Sequence, residues 1–235
     1  MSLNFEIAPI LLLFSLVFAL AVPAHAGGIP RSWQKILTAA DKANAGQFVL
    51  VLTGKPGQFK AEVHCMEKSN GVWQFAMPPM SASVGRNGIA DIGEKREGDG
   101  MSPAGVFPIG LAFGYDEECA TKMPYRQMFA DDIWVDDPAA ADYNRLTKVA
   151  DSMAKSYEFM RRRDELYRQG LVVEYNTNPV VAGHGSAIFI HFWGRAFNST
   201  SGCLGLPKKH LQTLLGFLDP AKKPLIGFSR KDQLK

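Results

Sequence analysis

Cysteine is scarce in this chain: three among 235 residues, standing singly at Cys65, Cys119 and Cys203. There is no C-x-x-C and no H-x-x-x-H, so the common ligand spacings of structural and catalytic zinc sites are missing. Three is also too few, and odd, for a disulfide-built scaffold. Net charge is low as well, at +3. With no basic block and no RNA-binding signature, nucleic acid is not an expected partner. Internal repeats and low-complexity tracts are absent, which excludes a solenoid and a disordered chain. After residue 26 no apolar run is long enough to cross a membrane.

What remains is ordinary globular material. Hydrophobic residues make up 46% and charged residues 21%, enough for a sizeable core in one domain with at most a small appendage. The exception is the N-terminus. "PILLLFSLVFALAV" is an apolar run of signal-peptide length, and "AHA" at 24–26 is an A-x-A processing site. Residues 1–26 therefore read as a signal peptide cleaved after Ala26. The segment before the run carries Glu6 and no Lys or Arg, so an uncleaved anchor is the competing reading. Cleavage removes Glu6 and raises the formal charge from +3 to +4, a mild attraction toward an anionic polymer such as cell wall. In an oxidising compartment Cys65 and Cys119 could pair and leave Cys203 free. The alternative is three reduced, packed thiols.

Residues 27–47 form a lead-in, with "RSWQKILTAADKANAGQ" a short helix or an irregular stretch. From residue 48 β signals dominate. "FVLVLT", "KAEVHCMEK" and "VWQFAM" read as strands of a meander, with "SNG" as a turn. Glycines crowd residues 85–114, where "PAGVFPIGLAFG" reads as an edge strand with a bulge. About residues 131–170 the composition shifts to charged residues and alanine. Met153, Tyr157 and Met160 lie at i, i+4 and i+7, which predicts a helical insertion ended by Gly170. "LVVEYNT" and "SAIFIHFW" return to strand. "PKKHLQTLLGFLD" is a helix with Leu211, Leu214, Leu215 and Leu218 on one stripe, and "KPLIGFS" is a last strand. The expected class is mostly β (α+β).

The chemistry lies in "IHFWGRAFNSTSGCLGL", residues 190–206. A thiol attacks as thiolate, and a basic neighbour or a helix N-terminus lowers its pKa from about 8.5. Cys203 precedes a predicted helix, and His191 ends a predicted strand that could run alongside. A Cys–His pair is the minimum for nucleophilic acyl transfer. Gly202 permits close backbone approach, and N–H groups around Gly202 and Cys203 could form an oxyanion hole. The bland reading is a core cysteine near an unrelated histidine. The small polar flank "STSGC" favours the reactive one. His184, His191 and Cys203 lack the spacing and the nearby carboxylate of a metal site, so no metal is expected. His184 lies between two glycines and reads as a turn or rim residue. His64 and His210 have no partner in sequence.

These residues resemble the L,D-transpeptidase catalytic domain, or YkuD, family. Its signature is a strand-terminal His, a loop, then Ser/Thr-x-Gly-Cys and a hydrophobic residue, here His191 and "TSGCL". "KREGDGMSPAGVFPIG" is similar to the family's Thr-Pro-x-Gly-x-Phe segment, with Ser102 for Thr, and "SVGRNG" resembles the strand and turn before it. The resemblance spans about residues 48–229. Two positions depart: Ser201 stands where the family usually has His, and Gly205 where it usually has Asn or Arg. The resemblance implies a β-sandwich or barrel-like catalytic domain over 48–235 with a helix after the cysteine. It implies Cys203 as nucleophile and His191 as base, oriented by a backbone carbonyl, with Thr200, Ser201 and Gly202 as the site loop. Trp193, Arg195, His184, Arg86 and Lys95 are candidates for binding substrate. No cofactor is implied. The partners implied are peptidoglycan stem peptides, with carbapenem-type inhibitors, in the periplasm or envelope of a bacterium. The implied reaction is transfer to an amine of another stem or to a D-amino acid. Hydrolysis by the same fold and wall binding without catalysis are the alternatives.

Overall fold

The computed structural model describes residues 28–194 and 198–234. The signal-peptide segment and Arg195 lie outside them. The lead-in is partly helical. After one 3-10 turn at Arg31–Trp33 comes α1 (Gln34–Lys42), which turns Ile36, Leu37 and Ala40 inward. Strand β1 (Gln47–Thr53) is buried along its whole length. Successive side chains of a strand point to opposite faces. Phe48, Leu50 and Leu52 pack with α1, while Val49 and Val51 join the main core with Val63, Ile190 and Leu204. Two buried faces explain why the sequence there is a continuous apolar run rather than an alternation.

β2 (Lys60–Ser69) and β3 (Val72–Phe75) form the expected hairpin. β4 (Met80–Ser83) and β5 (Gly105–Gly114) follow, then β6 (Tyr125–Gln127), β7 (Asp132–Val135), β8 (Leu146–Lys148) and β9 (Tyr157–Phe159). β10 (Gln169–Val173), β11 (Phe189–Phe192), β12 (Leu204–Leu206), α2 (Lys208–Phe217) and β13 (Leu225–Arg230) complete the chain. The sheet runs β1-β13-β5-β10-β11-β12-β4-β2 and closes by pairing β2 with β1. This circuit is a barrel, which removes free edges from its strands. α2 buries Leu211, Leu214 and Leu215, with Leu218 also fully buried, as the leucine stripe predicts.

Two expectations need correction, and one alternative is decided. Residues 131–170 are not a helix but a small antiparallel sheet, β8-β7-β9, with a 3-10 turn at Val149–Asp151. Met153 is 97% exposed and Met160 fully buried, so they share no face. Hydrogen bonds that periodicity does not register decide this segment. Asp132 accepts from Phe129 N–H at 2.7 Å and pairs with Arg126 at 2.7 Å. The Asn144 side chain accepts from Trp134 Nε1 at 2.8 Å and Ala187 N–H at 3.1 Å, and donates to the Asn176 carbonyl at 2.7 Å. Asn144 thereby ties the small sheet to the barrel. Gly170 ends no helix; it lies within β10, opposite Phe113 and His191. Second, β5 is not an edge strand, because β13 and β10 flank it. Its Pro108 is tolerated near a register irregularity between Leu171 and Val173 of β10. Of the two readings of the cysteines, the structure has the unpaired one: Cys65, Cys119 and Cys203 are all free thiols.

Candidate active site

β11 carries the site on one of its faces. Ile188 and Ile190 point into the main core, and the opposite parity, Ala187, Phe189 and His191, faces the small sheet. Cys203 lies just before β12, which runs parallel to β11 with His191 opposite Gly205. The predicted helix N-terminus is therefore not adjacent to the thiol: β12 intervenes, a strand that the sequence reading missed.

The thiol is embedded rather than exposed. Its Sγ donates to the Ala187 carbonyl at 3.2 Å and accepts from Phe189 N–H at 3.3 Å. Burial pushes the Cys203 pKa up to about 12, and the nearby charge of Glu158 adds to the rise. The Phe189 N–H, Lys95 and Arg162 oppose it. Activation by a depressed pKa, the sequence expectation, is therefore not the resting state. Burial likewise holds His191 down, at about 4. Its Nδ1 lies 2.6 Å from the Phe192 carbonyl. A carbonyl oxygen only accepts, so Nδ1 carries the hydrogen and Nε2 keeps its lone pair as a base. The resting pair is a neutral thiol and a neutral imidazole, with no hydrogen bond between them among the described residues.

Turn chemistry shapes the loop before the cysteine. Thr200 Oγ1 donates to the Cys203 carbonyl at 2.7 Å and accepts from Gly202 N–H at 3.1 Å. The Gly202 N–H is thus committed to the turn and not aimed at an oxyanion. Gly202 has φ +154°, and a Cβ there would meet the Met101 carbonyl at 2.9 Å. Ser102, fully buried, donates to the Gly202 carbonyl at 2.5 Å and accepts from Gly85 N–H at 3.1 Å. The "SPAGVF" segment is therefore a buttress under the cysteine loop. Gly205 is explained by space: a Cβ would meet Ser83 Oγ at 2.8 Å and Trp193 Cβ at 3.3 Å. A side chain such as Asn or Arg does not fit. Ser201 is exposed and accepts from Arg86 Nη1 at 3.4 Å.

Two cavities open on Cys203. One, of about 310 Å³, is lined by His191, Tyr167, Trp193, Thr200 and Ser201 together with Arg86 and Glu158. The other, of about 230 Å³, is lined by Gly202, Ile188, Lys95, Glu97 and Asp136, again with Arg86, Ser201 and Glu158. A larger hollow of about 950 Å³ against β9 is not lined by Cys203 or His191. Lys95 is buried, and its ammonium bonds to Asp99 at 2.7 Å and to the Arg96 carbonyl at 2.7 Å. His184 lines neither Cys203 cavity; its carbonyl accepts from Tyr175 Oη at 2.6 Å.

Sequence reasoning missed Glu158 and Tyr167, which come from the 131–170 segment. Tyr167 donates to the Glu158 carboxylate. Its ring meets His191 edge-on with centroids 5.1 Å apart. No spacing rule connects residue 158 or 167 to 191 or 203; only the pairing of β10 with β11 and the docking of the small sheet bring them together. No cluster of three or more potential metal ligands occurs among the described residues.

The model of the L,D-transpeptidase catalytic domain family, YkuD, matches residues 49–226. No curated protein matches. Among solved structures, the helical cell shape determining protein Pgp2 from Campylobacter jejuni aligns with TM-score 0.43 and 15% identity, covering 86% of this chain and 56% of that one. The chain thus spans little more than half of that neighbour, and nothing of the neighbour's role transfers at this level of likeness. The family model covers both cysteine-site segments and the barrel that holds them, and by that match the chain belongs to the L,D-transpeptidase catalytic domain (YkuD) family.

Proposed function

We propose that the protein is a peptidoglycan L,D-transpeptidase that works through a cysteine acyl-enzyme in the cell envelope. The observation that carries this reading is that Cys203 and His191 line one cavity, with the imidazole in the tautomer that leaves Nε2 basic. Its low pKa keeps that nitrogen unprotonated at neutral pH, so the lone pair is free.

The chemistry follows from those groups. A stem peptide enters with its scissile carbonyl on Sγ. The thiol proton passes to His191 Nε2 as the S–C bond forms. The imidazolium then protonates the leaving amine of the terminal D-residue, the C–N bond breaks, and a thioester remains. An acceptor amine attacks the thioester and loses a proton to His191, and Cys203 departs as thiol. An amine from a second stem gives a 3→3 crosslink, a free D-amino acid gives exchange, and water gives a carboxypeptidase. Neutral partners in the free enzyme mean that the thiolate forms only during attack.

The test is the intact mass of the protein after exposure to a carbapenem, for wild type and Cys203→Ala, with muropeptide analysis alongside. An adduct on wild type alone, with 3→3 dimers, is expected. Shortened monomers without dimers would make the enzyme a hydrolase. An adduct on both proteins, or on neither, rejects Cys203 as nucleophile and leaves wall binding without catalysis.

A further inference from the structure

Tyr167 is buried in the wall of the cavity that holds Cys203 and His191, and the proton transfers proposed above make no use of it. A buried tyrosine needs only a partner for its hydroxyl, and Glu158 is that partner. A core role would end there. Tyr167 goes further, because its ring stands edge-on to His191, with centroids 5.1 Å apart and planes at 66°. His191 has use for a second contact. Its bond to the Phe192 carbonyl, at 2.6 Å, comes from the next residue in the chain and selects the tautomer. One hydrogen bond sets a direction and leaves the imidazole able to turn about it.

The Tyr167 ring is itself fixed from several directions. Phe113 and Phe189 meet it edge-on, at 5.9 and 5.5 Å. Its hydroxyl donates to Glu158 on β9. Arg162 lies over the ring, 5.0 Å from its centre, and closes a triangle by pairing with Glu158 through Nη1 at 3.9 Å. Arg162 is anchored in turn on Asp164 at 2.6 Å, and its backbone N–H donates to Tyr115 Oη at 2.8 Å. The backbone joins the same assembly, since Phe192 N–H donates to the Leu166 carbonyl at 3.2 Å. Residues 158–167 thus grip β11 at His191 and at Phe192, the residue whose carbonyl His191 uses. We propose that Tyr167 is a positioning residue: its ring, locked by Glu158 and Arg162, holds the His191 imidazole in a single orientation against the Phe192 carbonyl and keeps water off that side. The segment before β10 then acts on the reaction through the histidine. The inference rests on the acyl-transfer reading for the use made of the imidazole. The orientation itself does not.

The test reads His191 directly, by proton–nitrogen NMR of the full-length protein, with His191→Gln assigning its signals. Wild type should show one tautomer, with hydrogen on Nδ1, titrating at about 4. Tyr167→Leu keeps an apolar side chain and removes the ring. There the tautomers should mix, and the titration should move up by about one pH unit or more toward the ordinary value of about 6.5. Water reaching the imidazole relieves the desolvation that holds it down. The charged and titratable groups around it stay in place: Glu158, Arg162 and Asp164 on the Tyr167 side, Cys203 and Arg86 around the cavity. Carbapenem acylation is the second readout. Its maximal rate should fall about 10- to 100-fold in Tyr167→Leu with the half-saturating concentration little changed, and Tyr167→Phe, which retains the ring, should restore most of the rate. A merely structural role predicts lower stability in urea with His191 unaltered. An unchanged tautomer and titration in Tyr167→Leu, or an unchanged acylation rate, overturns the proposal, as does a loss in Tyr167→Phe equal to that in Tyr167→Leu. Should Tyr167→Leu fail to fold, wild type and Tyr167→Phe decide: one Nδ1–H tautomer in both supports positioning by the ring, and a mixture in either overturns it. Absence of any acyl-enzyme on wild type counts against acyl transfer, and the NMR result then decides the orientation alone. An acyl-enzyme that forms equally fast with and without the ring does the reverse.

Discussion

The resting thiol offers the sharpest quantitative test. Cys203 is 7% exposed, and its pKa is pushed up to about 12. At pH 8 its thiolate fraction is then about 10⁻⁴, against roughly a quarter for an unfolded cysteine of pKa about 8.5. That is a deficit of more than three decades. A more basic thiolate is intrinsically more nucleophilic, with a Brønsted slope of about 0.4–0.5, which returns roughly one and a half decades. Cys203 should therefore react with 2,2′-dipyridyl disulfide about 10²-fold more slowly than the same cysteine in urea. The logarithm of the rate should climb one unit per pH unit between pH 7 and 10, with no plateau. Site-resolved mass spectrometry separates Cys203 from Cys119, which is less buried, and from Cys65, whose pKa burial also pushes up to about 12. Acylation by a carbapenem should behave differently, because His191 takes the proton during attack. Its rate should stay level through neutral pH and fall only as His191 protonates near 4. A disulfide-exchange rate that levels off below pH 8 would refute the reasoning, since it would reveal a thiolate in the free enzyme.

The same burial couples His191 to stability. Its folded pKa of about 4 lies below the unfolded value of about 6.5, so the unfolded chain binds the proton first and stability drains as pH falls through that window. The loss from pH 7.5 to 4 is about 3 kcal/mol, and urea unfolding should show the gap between wild type and His191→Gln closing by that amount; a constant gap rejects it. Ser102→Ala leaves the Gly85 N–H and the Gly202 carbonyl without their buried partner. At about 1–3 kcal/mol for each orphaned group, the variant should lose several kcal/mol in denaturant unfolding, and a cost under about 1 kcal/mol would remove Ser102 from the role of buttress.

The barrel was legible where burial leaves a pattern in the sequence, either a continuous apolar run or a period. β1 reads as a strand because both of its faces are buried, and α2 because its leucines repeat at helical spacing. That Cys203 and His191 come to one cavity was legible because family motifs surround each residue. The 131–170 segment was not, and the reason is chemical. Its order comes from Asp132 and Asn144, polar side chains buried for their hydrogen bonds, whereas the spacing of Met153, Tyr157 and Met160 is a coincidence that a 97%-exposed Met153 exposes. β12 was missed because three residues, one of them Gly205, carry no period. Glu158 and Tyr167 belong to the same class of failure, since their place beside Cys203 is set by docking between segments distant in sequence.

That docking bears on how a buried, protonated thiol can serve as a nucleophile at all. The small sheet packs Trp134 and the following Met160, with Tyr167, into one cluster with Phe189 and Cys203. Burial desolvates both members of the pair, which raises one pKa and lowers the other. Such a site should react slowly with disulfides and other reagents that need a preformed thiolate. Under the acyl-transfer reading, attack becomes favourable only when a substrate carbonyl lies on Sγ and the proton can move to His191 as the bond forms. Groups that hold substrate in that pose then contribute to catalysis as well as to affinity. Arg86, Ser201 and Glu158, which line both cavities on the thiol, are placed to supply that holding.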